Sequence, residues 1–236
     1  MHGVVPAAGE GTRLRPLTET RPKGLVDIGG KQLLTRCFDR LLEIGVEKLV
    51  VVVGYRAQDI IEQYGRTYCD VPITYVYQRE QLGLGHAVLQ AAPRVDGEFV
   101  LLNGDNVFGT DLSSVYSQHQ ASEAVVTALV EQVPKENARE TGVFEFTDGQ
   151  VSGMIEKPAD PPSTLVSAGC YVCSTELFDA LDLVRLSERG EYELSDAIDV
   201  LLTAGASVDV MEFDGWRVNV NSPEDIRIVS ELIQGE

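Results

Sequence analysis

The chain has 236 residues, 44% of them hydrophobic, and 37 acidic side chains stand against 19 basic ones for a net charge of −18. That length supports one large core or two small ones, burying roughly 70–75% of the unfolded surface without staples, while the charge argues against a nucleic acid or an anionic membrane as partner, since a polyanion is repelled outside any local basic pocket. No apolar run reaches the ~20 residues that span a bilayer, Met1 to Gly11 lacks the order of a signal peptide, and four scattered cysteines make no disulfide framework, so a soluble, cytoplasmic protein is expected.

The first predicted strand, Gly3 to Pro6, runs straight into Ala7-Ala8-Gly9-Glu10-Gly11-Thr12-Arg13-Leu14-Arg15-Pro16, and Lys23 follows ten residues after Arg13. Small residues let backbone N–H groups approach an anion closely, and a guanidinium with an ammonium neutralises it, so the segment reads as a polyphosphate cradle. Tight strand–helix packing is the other use of such glycines. Two commoner phosphate loops do not fit. A dinucleotide fingerprint needs a third glycine where Leu14 stands, and a P-loop needs Lys and Ser/Thr directly after its last glycine, where Thr12 and Arg13 stand.

Helical periodicity then predicts helices at Leu33 to Ile44, Ala57 to Tyr64 and Gly85 to Ala92, and apolar runs predict strands at Lys48 to Val53, Ile73 to Tyr77 and Phe99 to Leu102. Such alternation builds a parallel sheet covered by helices. The stripe Leu33, Leu34, Cys37, Phe38, Leu41 and Leu42 has core spacing. His86, near the start of the third helix, reads either as a base or ribose contact or as an ordinary polar position. After the fourth strand, Asn103-Gly104-Asp105-Asn106 puts Asp105 at the carboxyl edge of the sheet. There α/β folds bind ligands, and a carboxylate beside a triphosphate holds Mg²⁺; a Gly-Asp turn by itself carries less meaning.

A helix at Ser113 to Ala121 and a strand at Ala124 to Val130 follow. Strands at Val143 to Phe146, Val151 to Glu156 and Val166 to Cys173 then succeed one another without helices, through an Asp148-Gly149 turn and a Pro158 to Pro162 loop. Glu156-Lys157-Pro158 closes a strand with adjacent opposite charges, which is also an ordinary strand exit. Cys170 and Cys173 are i, i+3 on a strand and point to opposite faces, against a metal or redox pair. Helices at Glu176 to Leu181 and Leu194 to Thr203, the second opened by the charges around Glu193, Ser195 and Asp196, lead to a strand pair of Val208 to Phe213 with Trp216 to Val220. A closing helix takes Ser222 as N-cap and Pro223 in its first turn. The expected architecture is α/β, one domain over 1–236, with a nucleotide-binding half (1–130) and a strand-rich acceptor half (131–236) sharing one mixed sheet.

Ala8 to Thr18, Arg21-Pro22-Lys23, Gly104-Asp105-Asn106, Thr141-Gly142-Val143, Glu156-Lys157-Pro158, Ala168-Gly169-Cys170-Tyr171 and Trp216 to Asp225 occur together, over nearly the whole chain, in an order that resembles the sugar-phosphate nucleotidyltransferases. Most similar are the glucose-1-phosphate uridylyl- and thymidylyltransferases of the short archaeal type. The resemblance implies a Rossmann-like, glycosyltransferase-A-like fold with a mainly parallel sheet, and the reaction of an NTP with a sugar 1-phosphate to give an NDP-sugar and pyrophosphate. It implies that Ala8, Gly9, Gly11, Thr12 and Arg13 hold the triphosphate, that Lys23 sits beside the reacting phosphates, and that Gln78 and Gly83 read a pyrimidine. By the same resemblance Asp105 binds Mg²⁺, Gly142, Glu156 and Gly169 contact sugar hydroxyls in the acceptor half, and Lys157 pairs with the sugar phosphate.

The implied catalytic set is Arg13, Lys23, Asp105 and Lys157. A sugar phosphate, with a second pKa near 6 by analogy with phosphoserine, needs no general base at neutral pH, so positioning and charge neutralisation carry the chemistry. One segment departs from the family: relatives offer an Asp as second metal ligand, then Ile or Val, then Gly, where this chain reads Asn219-Val220-Asn221. Asn219 coordinates Mg²⁺ through an uncharged oxygen and so more weakly. UTP with glucose 1-phosphate is the preferred substrate pair. dTTP, or mannose 1-phosphate with GTP, or an amino-sugar phosphate, are the other enzyme readings. A non-catalytic nucleotide-sugar-binding regulatory subunit is the reading from another class, and the retained Arg13, Lys23, Asp105 and Lys157 weigh against it.

Five lysines stand against fourteen arginines, and an acid-rich, lysine-poor surface suits molar salt, which screens self-repulsion. Thermal melts in 0.1 M and 2 M KCl check this: a higher Tm is expected at 2 M, and no gain there removes the halophilic reading.

Overall fold

The computed structural model describes residues 1–235. β1 (His2–Ala7) leads through short 3-10 turns at Thr12–Leu14 and Lys23–Leu25 to a small hairpin of β2 (Asp27–Ile28) and β3 (Lys31–Gln32). Then come α1 (Leu33–Glu43), β4 (Lys48–Val53), α2 (Ala57–Tyr64), β5 (Thr67–Tyr68), β6 (Val71–Tyr77), α3 (Leu84–Gln90) and β7 (Phe99–Leu102). β6, β4, β1 and β7 lie side by side and parallel, with β5 antiparallel on the outer edge. β4 reads Lys-Leu-Val-Val-Val-Val and is buried from Leu49 to Val53, the continuous apolar run of a strand covered on both faces.

The chain continues with β8 (Asn106–Phe108), α4 (Ser113–Gln120), β9 (Val126–Gln132), α5 (Lys135–Ala138), β10 (Gly142–Thr147), β11 (Gln150–Glu156), β12 (Leu165–Cys173), α6 (Glu176–Leu183), α7 (Leu194–Thr203), β13 (Val208–Glu212), β14 (Arg217–Asn219) and α8 (Pro223–Gln234). β10 and β11 form the expected hairpin, with Asp148 at φ +53 and Gly149 at φ +80 as its two-residue turn. β12 is the hub. β9 runs antiparallel along one edge; on the other, Cys170–Cys173 pair with β7 and Val166 pairs with Val143 of β10. The other edge therefore changes partner between Val166 and Cys170. Gly169 sits at that fork with φ +75, and a Cβ there would come within 2.4 Å of Asn106 Nδ2, so only glycine fits.

The final strand pair expected from sequence does not form. β13 pairs in parallel with β9 of the main sheet, whereas β14 pairs antiparallel with β8 in a separate two-stranded sheet. The alternating apolar residues of β13 extend the sheet that β9 leaves open, and β14 is drawn to β8, with Gly109 N–H donating to Trp216 O at 2.9 Å just beyond it. The helix after β14 starts as expected: Ser222 and Asp225 form a reciprocal capping box and Pro223 opens α8.

Apolar layers cover both faces of the sheet, and Cys170 and Cys173 fall into different layers, as opposite faces of one strand require. Phe99 of β7 stacks on Phe178 of α6 with centroids 4.8 Å apart, an aromatic pair worth about 0.5–1.5 kcal/mol beyond its area burial. A smaller core of Leu14, Ile28, Leu33, Val107, Val220 and Val229 ties the N-terminal loop to β8, β14 and α8. This small core sets the glycine-rich loop opposite the segment that follows β14. No helix among the described residues is long and apolar enough to cross a membrane.

Candidate functional site

Three adjoining hollows of about 260, 540 and 800 Å³ share Leu84 and Glu191 and form one trough beside the carboxyl ends of β1 and β7. Ala8, Gly9, Gln78 and Gly83 line the smallest. Gly9, Gly11, Thr12, Arg13, Lys23 and Asp105 line the middle one. Arg13 and Asp105 recur in the largest, with Gly142, Glu156, Lys157, Gly169 and Asn219. All the site residues expected from sequence thus border one continuous trough.

In the middle hollow Gly11 has φ +66, and a Cβ there would lie 2.9 Å from Lys23 Cβ, so glycine is what lets the loop close onto Lys23. Thr18 Oγ1 donates to Gly11 O at 2.8 Å and holds that turn. Lys23 Nζ donates to Asp105 Oδ2 at 2.9 Å and to Asn221 Oδ1 at 3.0 Å, and Arg13 Nη2 donates to the same Asn221 oxygen at 2.9 Å. Two cations converge on one uncharged acceptor; Lys23 is also paired with Asp105, whereas Arg13 meets the amide alone and keeps most of its charge available to an anion. Asn221 is fixed in turn: its Nδ2 donates to Asn219 Oδ1 at 2.8 Å, and its backbone N–H donates to Asp225 Oδ2 at 2.8 Å.

Asp105 and Asn219, the residues expected to hold a divalent cation, both line the largest hollow, and Asn219 Oδ1 already accepts from Asn221 Nδ2. Val220 N–H donates to Asp105 O at 2.8 Å and holds the end of β14 against Asp105, while Asp105 Oδ1 meets only a long 3.4 Å contact from Asn106 Nδ2. One carboxylate and one amide oxygen fit Mg²⁺, a hard ion that keeps several waters and completes its shell with substrate phosphates. Among the described residues no group of three or more His, Cys, Asp or Glu is arranged to hold a metal ion. A cation at this donor pair therefore depends on phosphate oxygens for the rest of its shell.

At the far end, Glu156 lies 3.7 Å from Lys157 and 3.6 Å from Arg189. Burial raises its carboxyl above the usual glutamate range; Lys157 and Arg189 oppose that rise and Glu193 adds to it. Lys157 has φ +47, an uncommon backbone for a side chain of its size, and its N–H donates to Thr141 O at 3.0 Å. Strained backbone of this kind clusters at functional sites.

Several lining residues lie outside the sequence-based set. Glu193, expected to serve the helix start, is the N-cap of α7 by position but makes no side-chain cap. Its buried carboxylate accepts from Ser187 Oγ at 3.0 Å and faces Arg189 at 3.8 Å. Arg189 and Glu191 line the largest hollow with it. Asn221 had a signal, since it stands where relatives carry glycine. Arg217 had none: its Nε donates to Glu131 Oε1 at 3.0 Å and its Nη1 to Asn106 Oδ1 at 2.7 Å, joining strands far apart in the chain.

The nucleotidyl transferase family model matches residues 2–226. The UTP–glucose-1-phosphate uridylyltransferase AglF of Haloferax volcanii is 47% identical over 100% of this chain and 98% of its own length. The low-salt glycan biosynthesis nucleotidyltransferase Agl11 of the same organism is 35% identical over 99% of this chain, which spans 66% of Agl11. Among solved structures, a UDP-glucose pyrophosphorylase complexed with UDP-glucose superposes with a TM-score of 0.89 at 25% identity, over 99% of this chain and 98% of that one.

Glu156 offers a pH test. Because its folded-state pKa is raised, its contribution to stability is full below the unfolded value and is lost as pH rises through the folded value. Glu156→Gln is expected to resist urea better than the parent at pH 7, and to lose that advantage at pH 4, below the ordinary value of 4.5. An advantage as large at pH 4 as at pH 7 overturns the assignment.

Proposed function

This chain belongs to the nucleotidyl transferase family, and we propose that it transfers the uridylyl group of UTP to glucose 1-phosphate, giving UDP-glucose and pyrophosphate. The observation that carries the reading is the convergence of Arg13 and Lys23 on Asn221 Oδ1 beside Asp105, in a chain 47% identical to a uridylyltransferase along its whole length. Residues 1–130 supply most of the nucleotide contacts and residues 131–236 most of the sugar-phosphate contacts.

The base sits by Gln78 and Gly83, and the triphosphate crosses the Ala8 to Thr12 backbone toward Arg13 and Lys23. Lys157 holds the sugar phosphate, and Gly142, Glu156 and Gly169 meet the sugar hydroxyls. An ionised oxygen of the sugar phosphate attacks the α-phosphorus in line, a P–O bond forms there, and the bond to the β-phosphate bridging oxygen breaks as pyrophosphate leaves. No side chain has to remove a proton, because the attacking oxygen is already ionised near neutral pH. What Arg13, Lys23 and Lys157 contribute is orientation and counter-charge, strongest at Lys23, whose side chain is largely buried. Asp105 and Asn219 would hold Mg²⁺, which would supply further neutralisation of phosphate charge.

Pyrophosphate release from UTP, dTTP, CTP, GTP and ATP with glucose 1-phosphate and mannose 1-phosphate tests the reading. UTP with glucose 1-phosphate should be fastest, and Arg13→Ala should lower kcat about 10²-fold or more, the cost of one donor aimed at transition-state charge. No release with any pair would leave a nucleotide-sugar binder without catalysis. Asn219→Asp should lower the Mg²⁺ concentration that gives half-maximal rate; an unchanged requirement and rate mean that the second ligand lies elsewhere.

A further inference from the structure

Gln78 and His86 meet behind the smallest hollow in an arrangement with only one consistent set of donors and acceptors. Gln78 follows β6, anchored by its backbone N–H to Val53 O at 2.9 Å, and its side chain is almost fully buried, at 5% exposure. Its Nε2 lies 3.0 Å from Gly83 O and 3.1 Å from His86 Nδ1. A carbonyl oxygen only accepts, so the amide NH₂ must be the group facing Gly83, and its second hydrogen then points at His86 Nδ1. That nitrogen must be bare, which assigns His86 the tautomer with its proton on Nε2. The His86 ring is flanked by Tyr192, with ring centroids 6.0 Å apart.

With both amide hydrogens committed, Gln78 Oε1 remains. No described residue donates to it, and it is not among the buried atoms lacking a partner, so it keeps some exposure on a residue that lines the hollow. We infer that His86 is a positioning residue for nucleotide choice: it locks the Gln78 amide with its oxygen, and not its NH₂, toward the base. The inference rests on the uridylyl-transfer reading and on Gln78 as the base contact. An outward acceptor pairs with the ring N3–H of uracil or thymine and meets the bare N3 lone pair of cytosine with repulsion. Gly83 O alone leaves the lock with one hydrogen bond instead of two. Without the His86 acceptor the amide is freer to turn over, exchanging acceptor for donor, and the distinction fades.

The test compares steady-state kinetics of His86→Leu, His86→Asn and Gln78→Leu with the parent, using UTP and CTP and varying glucose 1-phosphate. His86→Leu is expected to raise KM for UTP about tenfold, the weight of roughly one well-made buried hydrogen bond. It should shrink the UTP over CTP ratio of kcat/KM by a similar factor, with KM for glucose 1-phosphate unchanged and kcat retained. His86→Asn, whose side-chain oxygen can replace Nδ1 as acceptor, should restore much of the preference. A merely structural role would move both substrates together and would not be rescued by Asn. If His86→Leu does not fold, His86→Ala carries the same expectation. Should Gln78→Leu leave KM for UTP unchanged, the base contact itself is misassigned; should Gln78→Leu raise it while His86→Leu does not, the lock is refuted and the base contact stands.

Discussion

The site depends on a fork in the sheet. β12 gives its C-terminal half to β7 and its N-terminal half to β10, and between the two partners the last rung is Asn103 N–H to Gly169 O at 2.9 Å. Beyond it the chain turns away, with Gly104 N–H on Pro6 O at 3.2 Å, and the gap left beside β12 becomes the wall of the trough. A side chain at position 169 would collide with Asn106 and Asn103 and push apart the strands whose ends carry Asp105 and Gly142. Both halves of the proposed reaction meet at this irregularity. A fully paired sheet has no room for a ligand among its strands, whereas a sheet that changes partner exposes backbone and strand-end side chains without losing its core.

What was legible in the sequence, and what was not, follows from the range of the interactions. The glycine-rich turn, each helix and strand of the αβ alternation and the Asp148-Gly149 turn are local, each written into a dozen residues or fewer, and they sit where expected. β8 and β14 are three residues each, too short to show a period, and their pairing joins segments more than a hundred residues apart. Val208 to Phe213 and Trp216 to Val220 therefore read as a pair by their nearness in sequence, although each strand had a better partner elsewhere. Arg217 could not be read as part of the site for the same reason. Its guanidinium is shared between Glu131 on β9 and Asn106 on β8, and nothing in the neighbourhood of Trp216 announces either. Glu193 does stand at the start of a helix, as read, but its contacts with Ser187 and Arg189 come from the preceding loop and have no local pattern.

The residues that hold Arg13 and Lys23 in place include asparagines, and this has an electrostatic consequence. Lys23 touches one carboxylate, Asp105, and one amide, Asn221, while Arg13 has the amide as its side-chain acceptor. Had residue 221 been aspartate, Arg13 would gain a carboxylate partner and Lys23 a second one beside Asp105, and a phosphate approaching Arg13 would have to displace a charge partner in addition to shedding its own water. An amide oxygen holds them in place at lower cost and yields more readily. The same choice at Asn219 weakens the pull on a divalent ion. Fixed counter-charge and metal affinity are thus traded within one segment, joined by the Asn221 to Asn219 hydrogen bond at 2.8 Å.

A protein of net charge −18 must still admit two anionic substrates to one trough. At low ionic strength the field of the whole molecule opposes them over the Debye length of about 10 Å at 0.1 M; at 1 M that length falls to about 3 Å and the opposition is confined to near contact. The attraction that remains is itself of contact range, since Arg13 and Lys23 hold their present partners at 2.9–3.0 Å, no longer than the screening length of about 3 Å at 1 M. Salt therefore removes the repulsion of the surface more completely than it removes the attraction of the site. An acidic exterior and a local cluster of Arg13 and Lys23 within the trough are compatible on this ground, and the compatibility improves as ionic strength rises.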